Sequence, residues 1–463
     1  MAIMTNKPKK QMRLGAFFNL PGHHVASWRY PSSGANRGFD LDYLIELAQT
    51  AERAKFDNVF FADVFGQLPQ EGSASGLKLD PVIIIAALAG ATKNIGLTAT
   101  HTTTYNEPFQ LARKYIAIDH LSKGRAAWNV VTSANDNESK LFGQEKHLEH
   151  AQRYERADEF VEVVKKLWKS IEADGLVIDK ENGKFLELDK VHHVNHQGKF
   201  FNVQGTLDAP TSPQGHPVIV QAGSSEAGKE LAAKSAEVIF TAWQTLDDAK
   251  NFYSDVKGRL AKYGRKPDDL KIMPGVFITV AKTEAEAIAK QRKLNGYISP
   301  EVGLSYLSNF TNSDLTGYDV DAPLPEYGAI EDKTNPRIRF NIIRDLAERE
   351  NLKTIREVYE RIAGARGHRE IVGTPEQIVD QLEEWFLNDA ADGFNIMPPH
   401  FPEGFNDIVE LVIPELQRRG LFRTEYESNT LRGNLGLSVP EPQKENEADS
   451  EVLKKNQFVP TSW

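Results

Sequence analysis

Residues 124–168, GRAAWNVVTSANDNESKLFGQEKHLEHAQRYERADEFVEVVKKLW, decide the fold of this chain. The apolar run 126–131 is followed by a polar stretch that begins at Thr132. Between Tyr154 and Leu167, apolar side chains recur every three or four residues, which predicts an amphipathic helix. A buried strand, a polar loop and a helix in this order form the unit of an α/β barrel, whose loops at this end of the strands carry the chemistry.

The same unit recurs along most of the chain, and Asp40 stands where the first full helix needs an N-cap. The predicted strands are residues 13–20, 58–64, 96–101, 125–132, 217–223, 237–243, 272–281 and 393–398. The predicted helices are residues 41–55, 80–93, 108–122, 153–170, 225–235, 247–263 and 405–419. This alternation predicts an α/β fold of the (β/α)8 TIM-barrel type.

Two segments interrupt the alternation of strands and helices. Residues 174–215 contain short alternating pieces, at 184–188 and 199–203, which predict a hairpin insertion. Residues 294–374 are too long for a structureless loop in a compact domain, so we expect an excursion over the barrel mouth with a helix at 336–350.

The domain boundaries follow from these segments. Residues 1–420 are predicted to form a single TIM-barrel domain with the insertions at about 174–215 and 294–374. Residues 421–463 are polar and rich in proline, and they form a C-terminal arm on the barrel or on a neighbouring subunit. A disordered tail is the alternative, but the apolar ending with Phe458 and Trp463 favours docking.

Composition narrows the class of protein. The 463 residues carry a formal net charge of −10, which argues against a nucleic-acid partner. No apolar run is long enough for a membrane span, and the basic N-terminus lacks the apolar segment of a secretory signal. The chain has no cysteine, which excludes disulfides, thiolate metal sites and a cysteine nucleophile. We therefore expect a cytoplasmic protein without a membrane partner.

Polar side chains follow two neighbouring predicted strands, at the end where a barrel keeps its active site. Asn129, His150 and Tyr154 are neutral hydrogen-bonding groups that suit an uncharged polar ring and a phosphate. Thr100 belongs to the hydroxyl-rich run 98–104, which can bind a flat heterocycle or a small oxidant. The alternative for these threonines is ordinary filling of a strand by β-branched side chains.

Charged and imidazole groups stand at two further strand ends. Asp63 places a carboxylate at the rim of the core, although a helix cap or a structural ion pair would explain it equally. His23 and His24 precede Trp28 in the loop after the first strand. Two imidazoles beside an aromatic ring at a barrel mouth indicate substrate contact, and a solvated loop is the alternative.

A phosphate site is predicted at the start of one helix. Gly223 lets the backbone approach a ligand closely, and Ser224 and Ser225 offer hydroxyls and free N–H groups at the helix N-terminus. A plain serine N-cap is the alternative. The chain contains neither GxGxxG nor GxxxxGK[ST]. No sequence motif therefore supports a dinucleotide-binding fold or a P-loop.

Two groups of histidines have spacings found in metal sites, but we expect no metal. His147 and His150 lie among polar helix residues without an accompanying carboxylate pattern. His192, His193 and His196 lie in the hairpin insertion, far from any strand end.

With these residues in place, the chain resembles the flavin-dependent monooxygenases of the bacterial luciferase-like superfamily, in the branch of nitrilotriacetate, EDTA and dibenzothiophene-sulfone monooxygenases. The resemblance extends nearly from end to end. The motifs that carry it are KFDNVFFAD (55–63), DHLSKGRAAWNVVTS (119–133), FGQEKHLEHAQRYERADEF (142–160), SPQGHPVIVQAGSS (212–225) and RTEYESNTLRGNLGLSVP (423–440).

The resemblance implies a luciferase-like barrel that uses O2 and FMNH2, with the FMNH2 supplied by a separate NAD(P)H:flavin reductase. It implies flavin contacts at Asp63, Thr100, Asn129, His150, Tyr154 and Ser225, with Ser224 beside them. Asn129 and Thr100 are the expected catalytic residues, together with His23 or His24 as a substrate contact or proton shuttle. Phe240 matches a position in the pocket wall.

The substrate is predicted less sharply. The strand ends carry aromatic side chains, which favour a flat aromatic sulfone and C–S cleavage; the pocket expected from them and from the first loop is Phe18, Trp28, Phe61, Phe240 and Trp243. An aminopolycarboxylate and C–N cleavage are the alternative, because an inward-turned arginine would restore affinity for an anion. The candidate arginines are Arg29, Arg337, Arg339 and Arg369.

Two further classes of protein stay open. A non-catalytic flavin-binding protein would consume flavin without an oxygenated product, and a lyase or hydrolase barrel would use the serines for a substrate phosphate. Fold alone does not separate these, because this architecture hosts many chemistries. The C-terminal arm also predicts a homodimer or homotetramer.

Overall fold

The computed structural model describes residues 10–66, 76–133, 136–311, 314–325 and 337–440. The strands in these residues are β1 (Arg13–Phe17), β2 (Asn58–Phe61), β3 (Gly96–Thr102), β4 (Ala126–Val131), β5 (Leu176–Asp179), β6 (Lys184–Leu186), β7 (Val194–Gln197), β8 (Asn202–Gly205), β9 (Val218–Gln221), β10 (Val238–Thr241), β11 (Lys271–Val280), β12 (Arg369–Gly373) and β13 (Gly393–Met397).

The α-helices in the same residues are α1 (Leu41–Arg53), α2 (Pro81–Ala91), α3 (Pro108–Leu121), α4 (Asp136–Leu141), α5 (His150–Trp168), α6 (Glu226–Ser235), α7 (Leu246–Arg259), α8 (Glu284–Asn295), α9 (Pro300–Thr311), α10 (Arg337–Glu350), α11 (Ile355–Ile362), α12 (Pro375–Leu387), α13 (Glu403–Asp407), α14 (Ile413–Arg418) and α15 (Leu431–Asn434). A π-helical turn, Ile408–Val412, joins α13 to α14.

Eight parallel strands close into a barrel in the order β1, β2, β3, β4, β9, β10, β11, β13 and back to β1. The predicted TIM barrel is confirmed, and each predicted strand contains the observed one except for one residue at the end of β3 and one at the start of β11. The first helix begins as predicted, because the Asp40 side chain accepts a hydrogen bond from the N–H of Asp42. Side chains alternate between the barrel interior and the helix layer, so each strand contributes to two cores.

One strand was missed, because residues 294–374 were expected to be an excursion throughout. β11 is long enough to pair with β10 through Lys271–Pro274 and with β12 through its later residues, 276–280. β12 is therefore a ninth strand that extends the sheet above the barrel. Helices α9, α10 and α11 form a separate small core with residues of the β1–α1 loop, as in the packing of Val25 with Ile355 and Tyr359.

The insertion at 174–215 is two hairpins rather than one. β5 pairs with β6 and β7 pairs with β8, both antiparallel. The predicted piece 199–203 begins too early, because Gly198 forms a turn with Phe201 and the paired strand starts at Asn202.

Residues 421–440 of the arm pack on this chain's own barrel, against the amino ends of the strands. The N–H of Leu431 donates to the carbonyl of Gly124, and Leu431 and Leu435 complete the apolar cluster inside the barrel. The predicted docking of Phe458 and Trp463 lies outside the described residues. The oligomeric state stays a prediction.

None of the helices in the described ranges is both long enough and apolar enough to cross a lipid bilayer.

Candidate functional site

The mouth of the barrel is floored by aromatic rings. Phe17 of β1, Phe60 of β2 and Phe240 of β10 all point inward, with ring centroids 5.0 to 5.7 Å apart. His368, at the start of β12, stacks on Phe240 at 5.0 Å. These rings separate the mouth from the lower barrel interior, which leaves a dry, apolar base under anything bound above it.

Above this floor, β3 and β4 present a polar pair. Thr100 and Asn129 are partners in register, and the Asn129 amide nitrogen donates to the Thr100 hydroxyl at 2.8 Å. Both side chains are buried, and the Asn129 carbonyl oxygen Oδ1 has no hydrogen-bond partner within the described parts of the chain. Because a buried acceptor without a partner costs free energy, this oxygen is the expected contact for an N–H group of a bound ring.

The loops after β3 and β4 are held in place by α5. Arg153 donates to the carbonyl of Ser133, and Arg156 donates to the carbonyl of Thr103. The Ser133 hydroxyl lies 2.6 Å from a carboxylate oxygen of Glu138, and the residue has a left-handed backbone with φ of 50°. Sequence reasoning named Ser133 as a polar group but missed the two arginines, because helix periodicity alone does not tell which face meets a loop.

The structure brings the predicted phosphate residues together at the start of α6. The rings of His150 and Tyr154 lie 4.8 Å apart on the first turns of α5. A side-chain carbon added to Gly223 would lie 3.0 Å from the Tyr154 hydroxyl and 3.1 Å from Gly228, so the turn leaves room only for glycine. Ser225 caps α6 by accepting from the N–H of Gly228. Exposed Ser224 lies next to it.

Replacing Ser225 with alanine should weaken FMN binding about 10-fold and destabilise the fold by about 1 kcal/mol, because one hydroxyl serves the helix cap and faces the phosphate position. Fluorescence titration with FMN and with riboflavin, which lacks the phosphate, measures the first effect. The variant should lose affinity for FMN and keep its affinity for riboflavin. Equal losses for both ligands would contradict the phosphate role.

Asp63 lies at the mouth beside Lys78. Burial raises the pKa of the Asp63 carboxyl, and the nearby Lys78 ammonium partly offsets this shift. One carboxylate oxygen accepts from the N–H of Val64 at 3.0 Å. Its contact with a flavin stays a prediction.

Both ring nitrogens of each predicted histidine in the first loop form hydrogen bonds. His23 Nε2 lies 2.9 Å from the carbonyl of Phe17, and Nδ1 lies 2.5 Å from Arg366 Nη2. Because arginine only donates, Nδ1 accepts and Nε2 carries the proton. His24 bonds Asn295 through Nε2 and accepts from the N–H of Ala26 at Nδ1. We therefore replace the expected proton shuttle at these residues with a structural role.

Burial sets the charge state of both imidazoles. Burial and the neighbouring Arg366 cation lower the pKa of His23 well below its ordinary value. Burial lowers the pKa of His24 to about 4. Both rings are therefore neutral near pH 7.

The expected aromatic pocket needs correction. Phe18 packs against Phe61 and Phe401 at 5.6 and 5.2 Å, in the layer between the barrel and its helices. Trp28 is 40% exposed on a short 3-10 turn, and Trp243 packs on Phe252 of α7. Strand alternation explains the error for Phe18 and Phe61, since their neighbours Phe17 and Phe60 take the inward positions. Of the predicted aromatic residues, Phe240 faces the barrel interior.

The histidines with metal-like spacing bond to other side chains instead. His147 bonds the Tyr105 hydroxyl, His192 bonds Glu172 and His196 bonds Glu159. Across the described ranges, no group of three or more His, Cys, Asp and Glu side chains is placed to hold a metal ion.

Arg366 at the mouth is a residue that sequence reasoning missed. It follows α11 with a left-handed backbone, φ of 49°, and its guanidinium is turned toward His23. Of the four arginines considered from sequence, Arg29 donates to the carbonyl of Tyr297 and Arg369 bonds Gln381 over the ring of Trp385. The side chains of the other two, Arg337 and Arg339, lie outside the described residues.

Comparison with known families and sequences places these features in context. Residues 17–391 match the family model described as luciferase-like monooxygenase. Nitrilotriacetate monooxygenase component A of Aminobacter aminovorans is 51% identical, over 93% of this chain and 97% of that protein. N-acetyl-S-(2-succino)cysteine monooxygenase of Bacillus subtilis is 49% identical, over 94% and 99%. A dibenzothiophene-sulfone monooxygenase of Rhodococcus erythropolis is 40% identical, over 94% and 98%.

Solved structures agree in fold. The structure of DmoA from Hyphomicrobium sulfonivorans superposes with a TM-score of 0.82 and 34% identity, covering 92% of each chain. EDTA monooxygenase from Chelativorans sp. BNC1 superposes with a TM-score of 0.80 and 31% identity, covering 93% of this chain and 99% of that one.

Proposed function

Because this chain belongs to the luciferase-like monooxygenase family and is a flavin-dependent enzyme, we propose that it oxygenates a small organic acid beside a heteroatom and breaks the carbon–heteroatom bond. One oxygen atom of O2 enters the substrate carbon, and the other leaves as water with two electrons and two protons from FMNH2. The hydroxylated carbon then becomes a carbonyl as the amine or thiol leaves.

The residues at the mouth fit FMN. The observation that carries the proposal is the buried, unpartnered Oδ1 of Asn129, which offers an acceptor to a flat ring above an aromatic floor. At the other end, Gly223, Tyr154 and the N-terminus of α6 offer a cradle and N–H groups for a phosphate. When bound and reduced, FMN supplies the electrons that activate O2.

The chain's own residues orient the reactants and exclude water. Thr100 holds the Asn129 amide so that its oxygen faces the mouth. Phe17, Phe60 and Phe240 close the barrel below, so that water does not enter from the interior. The arginines of α5 fix the loops that border the ring position.

A separate reductase is part of the proposal. One similar protein is named component A of nitrilotriacetate monooxygenase, which describes one part of a two-component system. We infer that this chain likewise receives FMNH2 from an NAD(P)H:flavin reductase.

The relatives do not single out the aromatic sulfone that the sequence favoured. The two relatives near 50% identity act, by their names, on carboxylic acids, whereas the sulfone enzyme is 40% identical. The inward Phe17, Phe60 and Phe240 keep an aromatic sulfone as the second candidate. C–N and C–S cleavage both suit an acidic substrate.

Flavin binding is the experiment that tests the proposed function. We expect the fluorescence of oxidised FMN to be quenched when it binds the protein. Under anaerobic conditions, reduced FMN should bind more tightly than oxidised FMN. With a flavin reductase, NADH and O2, a carbonyl product should accumulate from an acidic substrate. Binding without any oxygenated product would favour the non-catalytic flavin-binding protein. No binding of either form would favour the phosphate-binding lyase or hydrolase.

A further inference from the structure

We propose that Arg366 binds a carboxylate of the substrate at the barrel mouth, with His23 as its positioning residue and Lys78 as a second cation. This inference rests on the proposed function, because it names the substrate class of the same site.

The guanidinium of Arg366 lacks a counter-ion among the described residues. Its contact there is His23 Nδ1, a neutral acceptor, and its Nε atom is buried without a hydrogen-bond partner. Burial lowers the pKa of Arg366, and the Tyr306 hydroxyl on α9 partly offsets this shift. A buried cation without an anion is costly, and an arginine stays charged near pH 7. A bound anion would remove that cost.

His23 determines where the guanidinium points. Its ring packs edge-on against Phe17 at 4.5 Å, and Nε2 is tied to the Phe17 carbonyl. This anchors the imidazole to the aromatic floor and leaves only Nδ1 to face Arg366. The cation is therefore held beside the aromatic floor of the barrel mouth.

Lys78 adds a second positive charge that interacts with both Arg366 and Asp63. Its ammonium lies among protein atoms although much of the residue is exposed, and this burial lowers its pKa to about 8. The nearby Arg366 cation lowers that pKa further, while the Asp63 carboxylate raises it. The same two cations act on His23. The Asp63 carboxyl interacts with Lys78 and with the carboxyls of Asp80 and Glu138. Among the described residues, no carboxylate acts on Arg366, so Arg366 is the cation that a bound anion would neutralise.

The geometry selects a substrate with two different ends. A carboxylate pairs with a guanidinium through charge-assisted, bidentate hydrogen bonds. The carbon next to nitrogen or sulfur then lies over the floor of Phe17, Phe60 and Phe240, within a few bonds of that carboxylate. A neutral sulfone would place no charge on Arg366 and would leave the buried cation uncompensated.

The test compares an acid with its neutral isostere. Isothermal titration calorimetry uses nitrilotriacetate, N-acetyl-S-(2-succino)cysteine and the uncharged nitrilotriacetamide, on protein with and without FMN. We expect at least one acid to bind and the triamide to bind at least 100-fold more weakly. Arg366→Met should raise the Kd of that acid about 100-fold, Arg366→Lys less, and the exposed control Arg344→Met should leave it unchanged.

Two readouts separate binding from a merely structural role. Arg366→Met should keep or raise the urea midpoint of the free protein, because it removes an uncompensated buried charge. His23→Phe, which keeps a ring against Phe17 but has no acceptor, should raise KM for the acid with little change in kcat. A lower urea midpoint together with unchanged acid binding would show that Arg366 is structural and would overturn the proposal.

The remaining outcomes are also decisive. If neither acid binds wild-type protein, or if the triamide binds as well as the acid, the carboxylate site is wrong even when FMN binds normally. If an acid binds through Arg366 but no flavin binds, the proposed function fails and the carboxylate site stands. Oxygenation of dibenzothiophene sulfone that is unchanged in Arg366→Met would assign the second substrate class instead.

Discussion

Replacing Asn129 with alanine should lower the yield of oxygenated product about 100-fold, while release of hydrogen peroxide rises. Its Oδ1 atom has no hydrogen-bond partner within the described residues and is the proposed acceptor for the flavin ring, and its Nδ2 atom donates to Thr100. Removing a single preorganised hydrogen-bonding group from an active site typically costs about 100-fold or more in rate. Without it, the ring loses its orientation, and O2 is reduced without attacking the substrate.

Product yield and peroxide are measured together, with a fixed supply of FMNH2 and a blank without enzyme for spontaneous flavin oxidation. Asn129→Asp keeps the size of the side chain but places a negative charge in the buried site and can only accept from the Thr100 hydroxyl, so it should uncouple as well. Thr100→Val is the companion variant, with a smaller effect because Oδ1 stays. An unchanged ratio of product to peroxide in Asn129→Ala would remove this residue from the catalytic assignment.

Replacing Arg432 with methionine should destabilise the protein by about 3–5 kcal/mol. Arg432 is 1% exposed in the arm and forms a two-pronged ion pair with Glu237, which precedes β10. It also donates to the carbonyl of Gln214 at 2.7 Å. The substitution leaves the Glu237 carboxylate buried without its partner and releases the arm from the amino end of the barrel.

This effect has a defined pH dependence. The Arg432 cation holds the pKa of Glu237 at about 2, below its unfolded value of 4.5, against the opposing effect of burial. A depressed carboxylate pKa contributes stability above the unfolded pKa, and that contribution is lost as pH falls from about 4.5 toward 2. Because burial alone raises the Glu237 pKa in Arg432→Met, the difference in stability between wild type and the variant should be largest at pH 7 and smaller at pH 3.5.

Urea denaturation at pH 7 and pH 3.5 measures both claims. Arg418 is exposed, and its partner Glu415 keeps a second cation in Arg419. Arg418→Met therefore supplies the control and should change stability by less than about 1 kcal/mol. A loss for Arg432→Met no larger than that of the control would mean that residues 421–440 do not hold the barrel closed.

The barrel itself was predictable because its pattern is local and repeated. Each predicted strand overlaps an observed one. Of the flavin-site candidates, Thr100 and Asn129 lie in the later halves of β3 and β4, Tyr154 lies near the start of α5, and Ser225 caps α6. These positions follow from the hydrophobic periodicity of the sequence and from its turn and cap residues alone. β12 was not predictable in this way, because it pairs with the later residues of β11, which only the folded sheet reveals.

The sequence by itself determined the fold class, the side of the barrel that carries the site, and the polar groups suited to a flavin. Tertiary structure alone decided which aromatic rings face inward, since a one-residue shift along a strand exchanges Phe18 for Phe17. It also decided that His23 holds Arg366 rather than a proton in transit. These two residues are 343 positions apart in the chain. Periodicity reports only on near neighbours, whereas the charge of the mouth depends on segments that meet after folding.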